Sequence, residues 1–209
     1  APGASREDVY SRLREELTHF NCLRLHLGFI DDHIIEQSDH LGLLVIPEFW
    51  EWWENADKCW PIAQSAAWLP AAQETFTRLV KRYRNHPSVV MWSLANETMW
   101  NDTRPELMAI AGALVDTVRR NDPTRPLQGD GEITWGGRLD AISIHYPEGA
   151  AKDTGTLRDT YHNASWIIPN DLDWLKKEGM NHSWRADFVW DRPLRIGEYY
   201  CMDDFVLEG

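Results

Sequence analysis

The chain has 209 residues, 12 of them tryptophan, and a formal net charge of −12. That charge argues against nucleic acid or an anionic membrane surface as a partner. No membrane-crossing run or signal peptide is expected, and the 3 cysteines, without metal-type spacing, imply no disulfide framework.

In chain order, Ser5 reads as the N-cap of a first helix, with Asp8 placed to return a bond to it. Val9, Leu13, Leu17 and Phe20 recur at helical spacing through to His19. Cys22 to Leu27 reads as a strand closed by Gly28, with Cys22 as a small buried hydrophobe. Asp31 caps a second helix and Gly42 ends it. Leu43 to Ile46 is a continuous apolar run, as in a parallel strand covered on both faces, and it ends at Pro47-Glu48. Phe49 to Leu69 is rich in tryptophan and reads as a long loop at a strand tip. Ala71 to Arg84 is a third helix, with Phe76, Leu79, Val80 and Tyr83 on one face. Pro87 stops it, and the apolar run Ser88 to Ala95 follows as a strand that turns polar at Asn96-Glu97.

Pro105 suits the first turn of a fourth helix, which runs to Arg120 and ends at Asn121-Asp122-Pro123. Leu127 to Asp130 and Ala141 to His145 are short strands, the second with Tyr146-Pro147 at its tip. Residues 149–170 are polar and poorly periodic. Leu172 to Glu178 reads as a short helix, and Leu194 to Glu198 as a last strand ending on a carboxylate. Strands alternating with helices predict a parallel sheet of the α/β class. A doubly wound sheet is the alternative. A (β/α)8 TIM barrel is preferred, because polar residues recur at strand C-termini, where such barrels place their sites. Glycoside hydrolysis needs two carboxylates, and Glu97 and Glu198 both end strands.

The stretch from Asn85-His86-Pro87 through Trp92-Ser93-Leu94-Ala95-Asn96-Glu97 resembles the acid/base signature of glycoside hydrolase family 2, in wording nearest to its β-glucuronidases. Ile196-Gly197-Glu198-Tyr199 is similar to the nucleophile strand of the same family. The resemblance implies a retaining β-glycosidase with no cofactor and a carbohydrate substrate. Glu97 is then the general acid/base and Glu198 the nucleophile. Arg24 helps keep the nucleophile ionised, or else forms a structural ion pair. Asn96 bonds the sugar 2-hydroxyl. Tyr146 bonds the nucleophile, or else packs at its strand tip. His26 and His145 are substrate contacts or structural groups, and His86 belongs to the motif structurally. No metal site is expected, because no H-E-x-x-H or C-x-x-C spacing exists.

Some features depart from the family pattern. Thr98 stands where β-glucuronidases usually carry proline, and His26 follows Arg24 more closely than is common. The sequons at Asn96, Asn101, Asn163 and Asn181 read as chance or as a bacterial trait. A complete (β/α)8 barrel usually takes about 250 residues. Residues 1–209 are therefore expected to be one domain holding strands two to seven of the family pattern, as a fragment of a larger protein with further strands and sandwich domains. The competing functional readings are a polysaccharide-acting glycosidase of the same clan, a non-catalytic carbohydrate-binding barrel, and an inactive fragment.

Overall fold

The computed structural model describes residues 5–28, 30–49, 67–96, 105–130, 135, 137–145 and 193–198. Helix α1 (Arg6–Glu16) starts from a reciprocal cap. Ser5 Oγ accepts from the Asp8 N–H at 3.1 Å, and the Asp8 carboxylate accepts from the Ser5 N–H at 2.9 Å. The helix ends before His19, so Phe20 lies beyond it and is exposed, and Leu13 is its one buried residue. Strand β1 (Cys22–Leu25) is shorter than its apolar run suggests, because His26–Gly28 turns into a 3-10 helix as the chain leaves the sheet. Cys22 is only half-buried, which corrects its reading as a core residue.

Helix α2 (Asp32–Leu41) has both expected caps. Asp31 accepts from the His33 N–H at 2.7 Å, and Gly42 adopts the left-handed conformation at φ 72°. Strand β2 (Leu44–Pro47) follows. Helix α3 (Trp68–Tyr83) begins earlier than Ala71. Pro70 sits in its first turn, where a missing N–H costs no intrahelical bond. Strand β3 (Trp92–Asn96), helix α4 (Pro105–Asn121) and strands β4 (Leu127–Asp130), β5 (Ile142–His145) and β6 (Leu194–Glu198) complete the described elements. The tryptophan-rich loop, apart from its two ends, and the short helix expected at Leu172 to Glu178 lie outside the described residues.

The strands are parallel and stand in sequence order. β1 pairs with β2, β3 with β4 and β5 with β6. Parallel bridges Val45↔Val89 and Glu48↔Ser93 join β2 to the third-strand region. β5 lies beside β4, where the Asp140 N–H bonds the Leu127 carbonyl at 2.8 Å. A doubly wound sheet reverses its strand order at a switch point, and this order does not reverse, as in a barrel.

Side-chain alternation sorts the strand residues between two environments. Leu25, Val45, Trp92, Leu94 and Leu127 join Phe76 and Val80 of α3 and Leu114, Val115 and Val118 of α4 in the apolar core. Phe49 stacks on Phe76 at 4.4 Å between ring centroids and on Trp92 at 5.7 Å. The opposite strand face is polar and holds Arg24, Glu48, Ser93, Gln128, Asp130 and Ser143, which bond one another.

Candidate active site

Arg24 is the hub of the polar face. Its Nη1 lies 2.8 Å from Asp130 Oδ2, its Nε 3.3 Å from Glu48 Oε2, and its Nη2 donates to Asn96 Oδ1 at 3.2 Å. Glu48 and Asp130 are fully buried, and the arginine side chain is 10% exposed. Two strands stand between β1 and β4, so their backbones are about 14 Å apart measured along a sheet. An ion pair between them requires the sheet to curl so that their inner faces meet, and the pair crosses the interior. Around this hub, Ser93 Oγ donates to Glu48 Oε2 at 2.9 Å and Ser143 Oγ donates to Asp130 Oδ1 at 2.8 Å. Gln128 Nε2 donates to Asp130 Oδ2 at 3.3 Å. His26 Nδ1 stands 2.9 Å from Glu48 Oε1 and against the Arg24 guanidinium.

Parallel pairing brings the expected site residues to one end. Asn96, the last residue of β3, registers with Asp130, the last of β4. His145, the last of β5, registers with Glu198, the last of β6. The backbone thus places Asn96, His145 and Glu198 at the C-terminal rim, with Arg24 and His26 joined to it through the ion cluster. Glu97 follows Asn96 directly and Tyr146 follows His145, and both lie outside the described residues.

Glu48 and Asp130 escaped notice as site residues. Each is a carboxylate at the C-terminal end of a short strand, the same signal that singles out Glu97 and Glu198. A carboxylate at such a position is buried by its strand and demands a cation, and Arg24 meets that demand for both. Ser93, inside the long motif, donates its hydroxyl to Glu48.

The opposite ends of the strands carry a different set of polar groups. Asp122, after α4, accepts from Trp92 Nε1 at 2.9 Å, Arg125 Nη1 at 2.8 Å, and the Thr124 N–H at 3.0 Å. Burial pulls its carboxyl up, but the bonds from Thr124, Trp92 and Arg125 outweigh that and hold it down at about 2. His86 Nδ1 pairs with Asp39 of α2 at 2.6 Å, and Asp39 also accepts from the Ser88 N–H at 2.9 Å. For Asp39 too, burial works upward and the Ser88 and His86 bonds prevail, leaving it below the usual carboxylate range. These contacts tie helix ends to strand beginnings, which fits the structural reading of His86.

The family model described as glycosyl hydrolases family 2, TIM barrel domain, matches residues 24–182. A β-glucuronidase of Paenibacillus borealis is 29% identical over 186 residues, which take in 81% of this chain and 30% of that protein. A β-galactosidase of Lactococcus lactis subsp. lactis is 29% identical over 150 residues, covering 71% of this chain and 14% of that protein. The solved structure of an uncultured Clostridium sp. β-glucuronidase superposes with a TM-score of 0.66 over 92% of this chain and 32% of that one, at 20% identity, a likeness of fold alone. The chain thus spans less than a third of the curated relatives' length. Since the family model takes in most of the sequence and the strands run in its barrel order, the chain belongs to glycosyl hydrolases family 2, through its TIM barrel domain.

Proposed function

We propose that this chain carries the two carboxylates of a retaining β-glycosidase that cleaves a terminal β-linked sugar. The observation that carries the reading is that Asn96, which Glu97 follows in the sequence, and Glu198 each end a parallel strand in a chain of the family 2 barrel. In the first step a Glu198 carboxylate oxygen attacks the anomeric carbon while the bond to the leaving oxygen breaks. Glu97 gives that oxygen its proton. In the second step Glu97, now a carboxylate, takes a proton from water as the water oxygen bonds the anomeric carbon. In the same step the bond from the anomeric carbon to the Glu198 oxygen breaks, and the carboxylate returns. Both carboxyls must stand about 5–5.5 Å apart for this double displacement. A negative Glu198 close to Glu97 favours the protonated acid that the first step needs.

Asn96 binds the sugar 2-hydroxyl, a contact that strengthens as charge develops at the anomeric carbon. Arg24, His26, His145 and Tyr146 complete the sugar pocket, and the reaction uses no cofactor. The relatives' names point to β-galactosides and β-glucuronides as the first substrates to try.

The test is made on the intact gene product with a panel of aryl β-glycosides. The expected result is turnover of at least one, loss of turnover in Glu198→Gly, and its rescue by azide as a glycosyl azide of inverted configuration. Glu97→Ala should spare the first step for substrates with good leaving groups, which need little protonation. Loss that no azide restores in either variant would refute the two roles. Activity confined to polysaccharides would favour the endo-acting reading, and sugar binding without turnover the non-catalytic one.

A further inference from the structure

Asn96 has an amide whose two ends differ chemically, since the oxygen accepts and the nitrogen donates. A guanidinium carries donors only. The atom of Asn96 that lies 3.2 Å from Arg24 Nη2 is therefore the oxygen, whatever else surrounds the side chain. This orientation depends on Arg24 keeping its place, and Arg24 is long and flexible by itself. Asp130 holds it from across the barrel at 2.8 Å, and Glu48 holds it from the neighbouring strand at 3.3 Å. Asp130 is fixed in turn by Ser143 at 2.8 Å. The chain of contacts runs from β5 through β4 to β1 and back to the tip of β3, where the acid/base motif ends.

We propose that Asp130 is a positioning residue for the glycosidase. Acting through Arg24, it locks the Asn96 amide with its oxygen on the guanidinium and its NH2 toward the sugar, so that Asn96 donates a hydrogen bond to the 2-hydroxyl oxygen. This rests on the glycosidase reading above and adds to it a residue that touches no substrate atom. The buried carboxylate of β4 is then part of substrate recognition, and its loss is felt at the sugar 2-position. A purely structural carboxylate would, when removed, weaken turnover of every substrate alike.

The experiment compares a matched pair of substrates, an aryl β-glycoside that the wild type turns over and its 2-deoxy analogue. For Asp130→Asn, kcat/KM on the parent glycoside should fall by about 10- to 100-fold, the range expected when a hydrogen bond to a charged group is lost. On the 2-deoxy analogue the same variant should lie within about threefold of wild type, because the contact it disturbs has no partner there. Taking the ratio of variant to wild type on each substrate cancels the intrinsic reactivity of the 2-deoxy sugar. Equal losses on both substrates would overturn the proposal while leaving the glycosidase reading intact. A wild-type protein that turns over neither substrate, on any sugar of the panel, would instead remove both. If Asp130→Asn does not melt cooperatively, Ser143→Ala serves in its place, since it deletes one anchor of Asp130 and leaves every charge. Its loss should be about two- to fivefold and confined to the parent glycoside, and equal losses again overturn the proposal.

Discussion

At the scale of single residues, the charges at the two strand ends do different work. Arg24, Glu48 and Asp130 are gathered in the interior, where desolvation offsets much of their attraction. Such a cluster is a poor source of net stability, which fits the positioning role proposed for it. Asp122, by contrast, is a carboxylate bonded by Trp92, Thr124 and Arg125, and its pKa of about 2 lies below the ordinary 3.8. A carboxylate lowered on folding contributes stability that is fully present above its unfolded pKa and disappears as pH falls through the folded value. The window therefore runs from about pH 4 down to about pH 2. Urea unfolding should show the stability gap between wild type and Asp122→Asn narrowing by about 2 kcal/mol from pH 5 to pH 2. A constant gap would mean that the bonds to Asp122 do not depend on its charge.

Individual elements were legible where local chemistry decides. The capping box at Ser5, the Asp31 cap and the Gly42 stop all lie within a few residues of the groups they satisfy, and each boundary appears where the sequence puts it. Strands β4 and β6 likewise have the bounds read for them from the sequence. Boundaries set by tertiary contacts were not legible. The apolar run from Ser88 is divided between two partners. Val89 bridges to Val45, and the strand proper begins at Trp92, against Leu127. Nothing within the run marks that change. The Gly42 stop lends itself to measurement, because a Cβ there would meet nothing within 4 Å and the only obstacle is the positive φ of 72°. Gly42→Ala should destabilise the protein by about 1 kcal/mol, seen as a lower melting midpoint, and Gly42→Asn by less. A neutral alanine would show that the helix end can relax to another conformation.

On the scale of the whole molecule, the two strand ends carry different sets of polar groups, and the proposed function assigns chemistry to one and stability to the other. The strand C-termini hold the acid cluster and the strand-final Asn96, His145 and Glu198, and the N-terminal ends hold the Asp39–His86 and Asp122–Arg125 ties. His86→Ala should therefore cost about 1–3 kcal/mol of stability through the lost bond to Asp39. Its kcat/KM per folded molecule should stay within about twofold of wild type, measured well below its melting point. A large loss in kcat/KM with unchanged stability would assign His86 to the active end instead. The site itself was only partly legible. Asn96-Glu97 and Glu198 stand out as candidates because each reads in the sequence as closing a strand, whereas the contacts that organise Arg24 join residues far apart in sequence. Only the closure of the sheet brings Asp130 to it, and no local pattern encodes that.

The reach of Arg24 also bears on how the chain arrives at its structure. Its charge finds Glu48 when two strands have met, but Asp130 only when β4 has joined and the sheet has curled. Until then the guanidinium and the carboxylates keep water, and removing it is costly. A one-residue slip of β1 would turn Arg24 toward the helices and bring Leu25 into the charged interior. Misaligned sheets are thereby penalised more heavily than they would be in an all-apolar interior, where one slipped pairing resembles the next. The residues proposed to position a sugar contact in the finished barrel thus also act earlier as a proofreading device, penalising wrong strand alignments before the interior closes.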